Sequence, residues 1–153
     1  LLDTGGGILK ALPLLGSDPF YVLNSDGFWL DGGVPSLVRL AQDWRDDAMD
    51  CLLLLSPLEK AMGYDGRGDF HVDTDGRLVR LNDASRTAYA YIGGYVVHPR
   101  LFAGVTETRF SMNVLWNKAI ASGRLHGLVH QGLWLHVGTP EAVVMAQSHL
   151  ASR

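Results

Sequence analysis

Tyr21-Val22-Leu23-Asn24-Ser25-Asp26 is an apolar run that stops abruptly in polar residues. With Phe20 before it, the stretch predicts a buried strand over Phe20–Leu23 that ends in the loop Asn24-Ser25-Asp26-Gly27. In an open α/β sheet, ligands bind beyond the carboxyl ends of strands, so this loop is the first place to look for a site. Asp26 reads in two ways. It is either a turn residue before Gly27 or a carboxylate for Mg²⁺, a hard cation that takes few protein oxygens and fills its other positions with water and phosphate.

The pattern on either side fits an α/β layered sheet. Apolar residues at 8, 9, 11, 12, 14 and 15 predict a helix over Ile8–Leu15, with Pro13 limiting or bending it and Gly16 stopping it. A second helix is expected from Val34 to about Trp44, with Pro35 in its first turn. Cys51-Leu52-Leu53-Leu54-Leu55 reads as a buried strand ended by Pro57. Phe70–Val72 and Leu78–Leu81 flank Asp73-Thr74-Asp75-Gly76 as a hairpin. Ala88–Val97 is a long aromatic and β-branched strand in which Gly93-Gly94 marks a bulge or a close approach. Asn113–Ser122 reads as a helix before Gly123, and Leu125–His130 and Leu133–Val137 as paired strands. Thr139-Pro140-Glu141 then caps a last helix. Strands alternating with helices predict a layered sheet with helices on both faces, made mixed by the hairpin and the late strands.

Composition removes several classes. The 153 residues are 47% hydrophobic and carry a net charge of -3, which suits one folded domain over 1–153 rather than a disordered chain. Basic residues form no cluster, so a nucleic-acid polymer is not expected as partner. No apolar run reaches the ~18–20 residues of a membrane span, and the start has no signal-peptide pattern. Cys51 is the only cysteine; that fits a reducing compartment, and a cytoplasmic location is expected.

Other motifs are weaker. Thr4-Gly5-Gly6-Gly7 leads into the first helix, which fits either a flexible entry or an anion-binding start; Lys10 is misplaced for a Walker A loop. His126, His130 and His136 fall in strand-like segments, without the one-face spacing of a zinc motif. Asp73-Thr74-Asp75-Gly76 lacks the further acids of a calcium loop. No Gly-x-Ser-x-Gly elbow is present.

Taken in order, several segments carry a family likeness. They are Asp3-Thr4-Gly5-Gly6-Gly7-Ile8, Pro19–Asp26, Gly68-Asp69-Phe70, Tyr91-Ile92-Gly93-Gly94-Tyr95, His98-Pro99 and Trp134–Glu141. The set resembles the sugar-1-phosphate nucleotidyltransferases, in particular the short bacterial branch that includes N-acetylmuramate-1-phosphate uridylyltransferases and mannose-1-phosphate guanylyltransferase-like proteins. The resemblance implies a Rossmann-like fold and a Mg²⁺-dependent reaction of a nucleoside triphosphate with a sugar-1-phosphate, giving a nucleotide-sugar and pyrophosphate. UTP and N-acetylmuramate-1-phosphate are the leading substrates, with a place in cell-wall recycling. By position, Thr4, Gly5, Gly6 and Gly7 would meet the nucleotide. Asn24, Gly68, Asp69 and Gly93 would meet the sugar phosphate, and Asp26 would be catalytic and bind the metal. His136 stands where the family usually has its second metal-binding Asp. The family's G-x-G-T-R loop and Pro-Lys-Pro lysine are not in this sequence. The resemblance therefore implies the later portion of the family domain, N-terminally incomplete. The other reading is a non-catalytic nucleotide-sugar-binding or regulatory protein of the same fold. Homo-oligomers are frequent in the family, but no surface stripe here specifies one.

Overall fold

The computed structural model describes residues 1–152. Its elements are α1 (Asp3–Leu15), β1 (Phe20–Leu23), β2 (Gly27–Leu30), α2 (Ser36–Asp43), β3 (Cys51–Pro57), β4 (Ala61–Met62), β5 (Phe70–Val72), β6 (Leu78–Arg80), β7 (Tyr89–Val97), α3 (Met112–Ala121), β8 (Leu125–Val129), β9 (Leu133–His136) and α4 (Pro140–Ala151). The order is α/β, as expected from the alternation of apolar runs.

The large sheet has the order β6-β5-β7-β3-β8, and β1 also pairs with β7. β3 lies parallel to β8, whereas β7 runs antiparallel to β1, β3 and β5, so the sheet is mixed. β3 explains its own composition. Cys51, Leu53 and Leu55 enter the core under α1 and α3, while Leu52 and Leu54 enter a second core with Leu37 and Leu40 of α2. A strand covered on both faces must be apolar at every position, and β3 is buried from Cys51 to Ser56. Helices therefore lie on both faces of the sheet.

Between Leu53↔Tyr95 and Leu55↔Tyr91, β7 spends two residues more than β3. An even insertion keeps the parity of the strand, so Tyr91 and Tyr95 stay on one face while Ile92 and Val96 stay on the other. Gly93 sits inside this bulge at φ 90°, a conformation that disfavours any side chain.

Four expectations are corrected. β1 is not buried: it is an edge strand, and Tyr21 and Leu23 are 44% and 53% exposed. Its outward-pointing residues are apolar all the same, which is why the sequence reads as interior. The late strands do not pair with each other. β8 joins the large sheet, whereas β9 forms a small sheet with β2 and β4 in the order β2-β9-β4. The first helix starts at Asp3, five residues earlier than its apolar face suggests. Glycines lower helix propensity, but here Gly5 and Gly6 are buried against another segment. The second helix starts at Ser36, because Pro35 has the extended ψ of 135° and stands outside the first turn.

The hairpin, β7 and the last two helices match their expected positions closely. Ser111 Oγ accepts the Asn113 N–H at 3.3 Å to cap α3, and Gly123 follows that helix at φ 67°. Thr139 Oγ1 accepts the Ala142 N–H at 3.2 Å to cap α4. Among the described residues, no helix is long and apolar enough to cross a membrane.

Candidate functional site

β1 and β5 pair with the same strand, β7, at different places. β1 covers Gly94–Val97, and β5 meets only Tyr89. Between them a stretch of β7 has no strand on that edge, while β3 pairs with the other. Two residues of the flanking loops close its ends, Asn24 through its backbone and Asp69 through both backbone and side chain. The Asn24 N–H donates to the Gly93 carbonyl at 2.7 Å. The Asp69 N–H donates to the Tyr89 carbonyl at 2.8 Å, and Asp69 Oδ2 accepts the Tyr91 N–H at 2.9 Å. Gly68 turns into this contact at φ 88°, where an added Cβ would press on the Tyr89 carbonyl at 3.0 Å. Gly93 is equally close to Asn24, whose Cβ lies 3.2 Å from where a Gly93 side chain would begin.

A cavity of about 230 Å³ opens over this gap. Its lining includes Thr4, Asn24, Asp69, Arg80, Tyr91 and Asn113. Burial pushes the Tyr91 hydroxyl well above its usual range, and Cys51, Asp26 and Asp69 act in the same direction. Tyr91 is therefore a neutral hydrogen-bond donor at this wall rather than a base. The wall is stiff, because Tyr91, Tyr95 and Trp116 pack edge to face with centroids 4.9 to 5.9 Å apart.

The glycine-rich start forms one rim. Thr4 Oγ1 accepts the Met112 N–H at 3.1 Å, tying α1 to the first turn of α3. The N–H groups of Gly5 and Gly6 both donate to the Phe110 carbonyl, at 2.9 and 3.1 Å. These two amides are thus engaged by the chain itself. A Cβ on Gly6 would collide with the Thr108 carbonyl, and one on Gly5 with the Phe110 ring, whereas Gly7 faces open space. The glycines serve close approach of α1 to residues 108–110, and that approach carries Thr4 to the cavity.

Asp26 and His136 stand together on the small sheet, outside this lining. Gly27 pairs with His136, and the Asp26 carbonyl accepts the Val137 N–H at 3.1 Å. The His136 ring packs against Tyr64 and Trp134, with centroids 6.3 and 5.5 Å away. Among the described residues, no three His, Cys, Asp or Glu side chains converge as metal ligands. Asp26 and His136 are adjacent through backbone alone, since the His136 ring packs on Tyr64 and Trp134. The carboxylate suits Mg²⁺, whereas imidazole suits softer divalent ions better.

The structure thus brings Thr4, Asn24 and Asp69 to one cavity, leaves Gly68 and Gly93 behind its lining against Tyr89 and Asn24, and sets the Asp26 backbone beside β9. Arg80, Tyr91, Asn113 and Trp116 also line the cavity and were not singled out by sequence pattern as site residues. Arg80 in an alternating strand and Tyr91 in an apolar one read as surface and core. Only the pairing of β5, β6 and β7 reveals their common direction.

No family model matches the chain. It is 37% identical over 151 residues to an N-acetylmuramate alpha-1-phosphate uridylyltransferase of Caulobacter vibrioides, covering 98% of this chain and 62% of that protein. It is 29% identical to the protein of the same name in Neisseria meningitidis serogroup B, covering 90% and 58%. Among solved structures, HddC from Yersinia pseudotuberculosis superposes with a TM-score of 0.73 at 18% identity, covering 97% of this chain and 63% of that one. A UDP-glucose pyrophosphorylase complexed with UDP-glucose gives a TM-score of 0.71 at 16% identity, covering 100% and 64%. The latter two similarities establish the Rossmann-like fold. The chain spans about three fifths of the length of the relatives it matches. Along nearly all of its own length, this chain is similar to N-acetylmuramate alpha-1-phosphate uridylyltransferases, which are sugar-1-phosphate nucleotidyltransferases.

Proposed function

We propose that the protein acts in nucleotide-sugar synthesis, transferring a uridylyl group from UTP to N-acetylmuramate-1-phosphate. The observation that carries this reading is the cavity at the unpaired stretch of β7, where Thr4, Asn24 and Asp69 converge. The names of the relatives indicate the chemistry. The cavity is smaller than the ~300–1,000 Å³ of sites that enclose drug-sized ligands, which suits one sugar unit rather than a whole nucleotide-sugar.

In the reaction, an oxygen of the sugar phosphate attacks the α-phosphorus of UTP. A new P–O bond forms, the bond between that phosphorus and the α–β bridging oxygen breaks, and pyrophosphate leaves with the electron pair. Little covalent work falls to the protein, so positioning and charge neutralisation dominate. Asn24 and Asp69, each fixed by the β7 backbone, orient the sugar phosphate beside Gly68 and Gly93. Thr4 and Gly7, which faces open space, border the nucleotide. Asp26 would hold a divalent ion, and such an ion would offset charge on the phosphates.

The test is pyrophosphate release by the full chain with UTP and N-acetylmuramate-1-phosphate in the presence of Mg²⁺ or Mn²⁺. Release that stops in Asp26→Asn supports the proposal. Binding of nucleotide-sugar without turnover by the full chain supports the regulatory reading instead.

A further inference from the structure

Arg80 reaches the cavity as a cation with no anionic partner. Its Nε donates to Asn117 Oδ1 at 2.9 Å and its Nη2 to Asn113 Oδ1 at 2.8 Å. The guanidinium carbon lies 4.6 Å from the centre of the Phe70 ring. Both acceptors are neutral amides, and Nη1 has no hydrogen bond among the described residues. Four other arginines behave differently: Arg77, Arg86, Arg100 and Arg124 each pair with a carboxylate.

Two acids share the cavity lining, but each is turned toward backbone. Asp69 Oδ2 accepts the Tyr91 N–H, and Asp3 Oδ1 accepts the Thr4 N–H at 2.6 Å. Neither forms an ion pair with Arg80. Burial lowers the Arg80 pKa from its usual value even though the nearby Asp69 charge opposes it, a sign that the guanidinium is partly stripped of water. A guanidinium held over an aromatic ring by two amides, with Nη1 spare, is shaped for a planar anion. Holding it there unpaired costs free energy, which an incoming carboxylate would recover.

We infer that Arg80 determines sugar specificity by binding a carboxylate on the sugar, so that the preferred acceptor is an acidic sugar-1-phosphate. This rests on the proposed transfer reaction. N-acetylmuramate has such a group, the acid of its lactyl ether, while N-acetylglucosamine has a hydroxyl at the same position. The 1-phosphate is the other anion that Arg80 would attract, and the two sources separate by experiment.

The full chain and its Arg80→Gln and Arg80→Lys variants are assayed with UTP and the 1-phosphates of both sugars. The ratio of kcat/KM for the acidic over the neutral sugar is expected to fall about 10- to 100-fold in Arg80→Gln, the range for losing a charged hydrogen bond. Arg80→Lys keeps the charge without the fork and is expected to fall between. An unchanged ratio, whether both activities drop or neither does, overturns the inference; a joint drop would place the phosphate at Arg80. If the full chain transfers to neither sugar, the reaction itself fails, and calorimetry with free N-acetylmuramic acid and N-acetylglucosamine decides the carboxylate role. Binding of the acid alone, lost in Arg80→Gln, upholds it. Equal binding, or none, overturns it.

Discussion

The Asp69 carboxylate substitutes for a neighbouring strand at Tyr91: its Oδ2 accepts the Tyr91 N–H at 2.9 Å where β7 has no partner on that side. One residue thereby closes a backbone donor and faces the cavity. Asp69→Ala would leave that N–H without its acceptor, at a cost of about 1–3 kcal/mol. Asp69→Asn keeps an acceptor oxygen and is expected to cost less than about 1 kcal/mol. Urea unfolding of the two variants measures the difference, and equal midpoints would show that the contact is dispensable.

The three glycines of α1 should separate by their surroundings. Gly6→Ala drives a methyl into the Thr108 carbonyl and is expected to destabilise by about 1–3 kcal/mol. Gly7→Ala meets nothing within 4 Å and is expected to stabilise by about 0.5–1 kcal/mol, since Ala is the better helix former. Thermal melts report both signs. Loss of nucleotide affinity in Gly7→Ala without loss of stability would assign Gly7 to the ligand.

Stability should decline in mild acid. Ser36 Oγ donates to Asp31 Oδ1 at 2.6 Å, so the His130 Nδ1–H must donate to Ser36 Oγ, at 2.8 Å. Nε2 of the same ring then carries the lone pair, and it is buried without a partner. Burial lowers the His130 pKa below 6.5, with Asp31 opposing, and burial likewise lowers those of His126 and His98. The unfolded chain therefore binds more protons over the window below 6.5. The stability held by these neutral rings is fully present above that value and is lost as pH falls toward their folded values. Denaturation midpoints at about pH 7.5 and about pH 5.5 should show the drop, and His130→Gln should flatten it.

The metal preference should follow His136. With His136 standing where the family usually has its second metal-binding Asp, the full chain is expected to work better with Mn²⁺ than with Mg²⁺, and His136→Asp to shift the preference toward Mg²⁺. Chelation should abolish turnover in both. Unchanged metal dependence in His136→Asp would remove His136 from the site.

The sequence was most legible where a strand is covered on both faces. Cys51–Leu55 has no polar residue, and the structure buries it completely. β2 was missed because all four of its residues, Gly27 to Leu30, are half-buried and follow a turn without alternation. β4 is two residues long and gives no periodic signal. The division into two sheets was hidden because β9 finds its partners at residues 27–30 and 61–62, far away in the chain. At the site, the strand-end pattern singled out Asp26, whereas Asn24 and Asp69 were marked only by the family resemblance. Neither marked Arg80, because its meaning depends on Asn113 and Asn117, more than thirty residues later.

The pairing of strands also sets a timetable for synthesis. β1 and β3 have no ladder partner before β7, so the β5–β6 hairpin is the one part of the large sheet that forms earlier. β2 and β4 likewise wait for β9. A nascent chain emerging from the ribosome must therefore carry the apolar Cys51–Leu55 run unpaired until Tyr89–Val97 has followed it out. Such a chain exposes sticky surface throughout that interval, when holdase chaperones would be needed most.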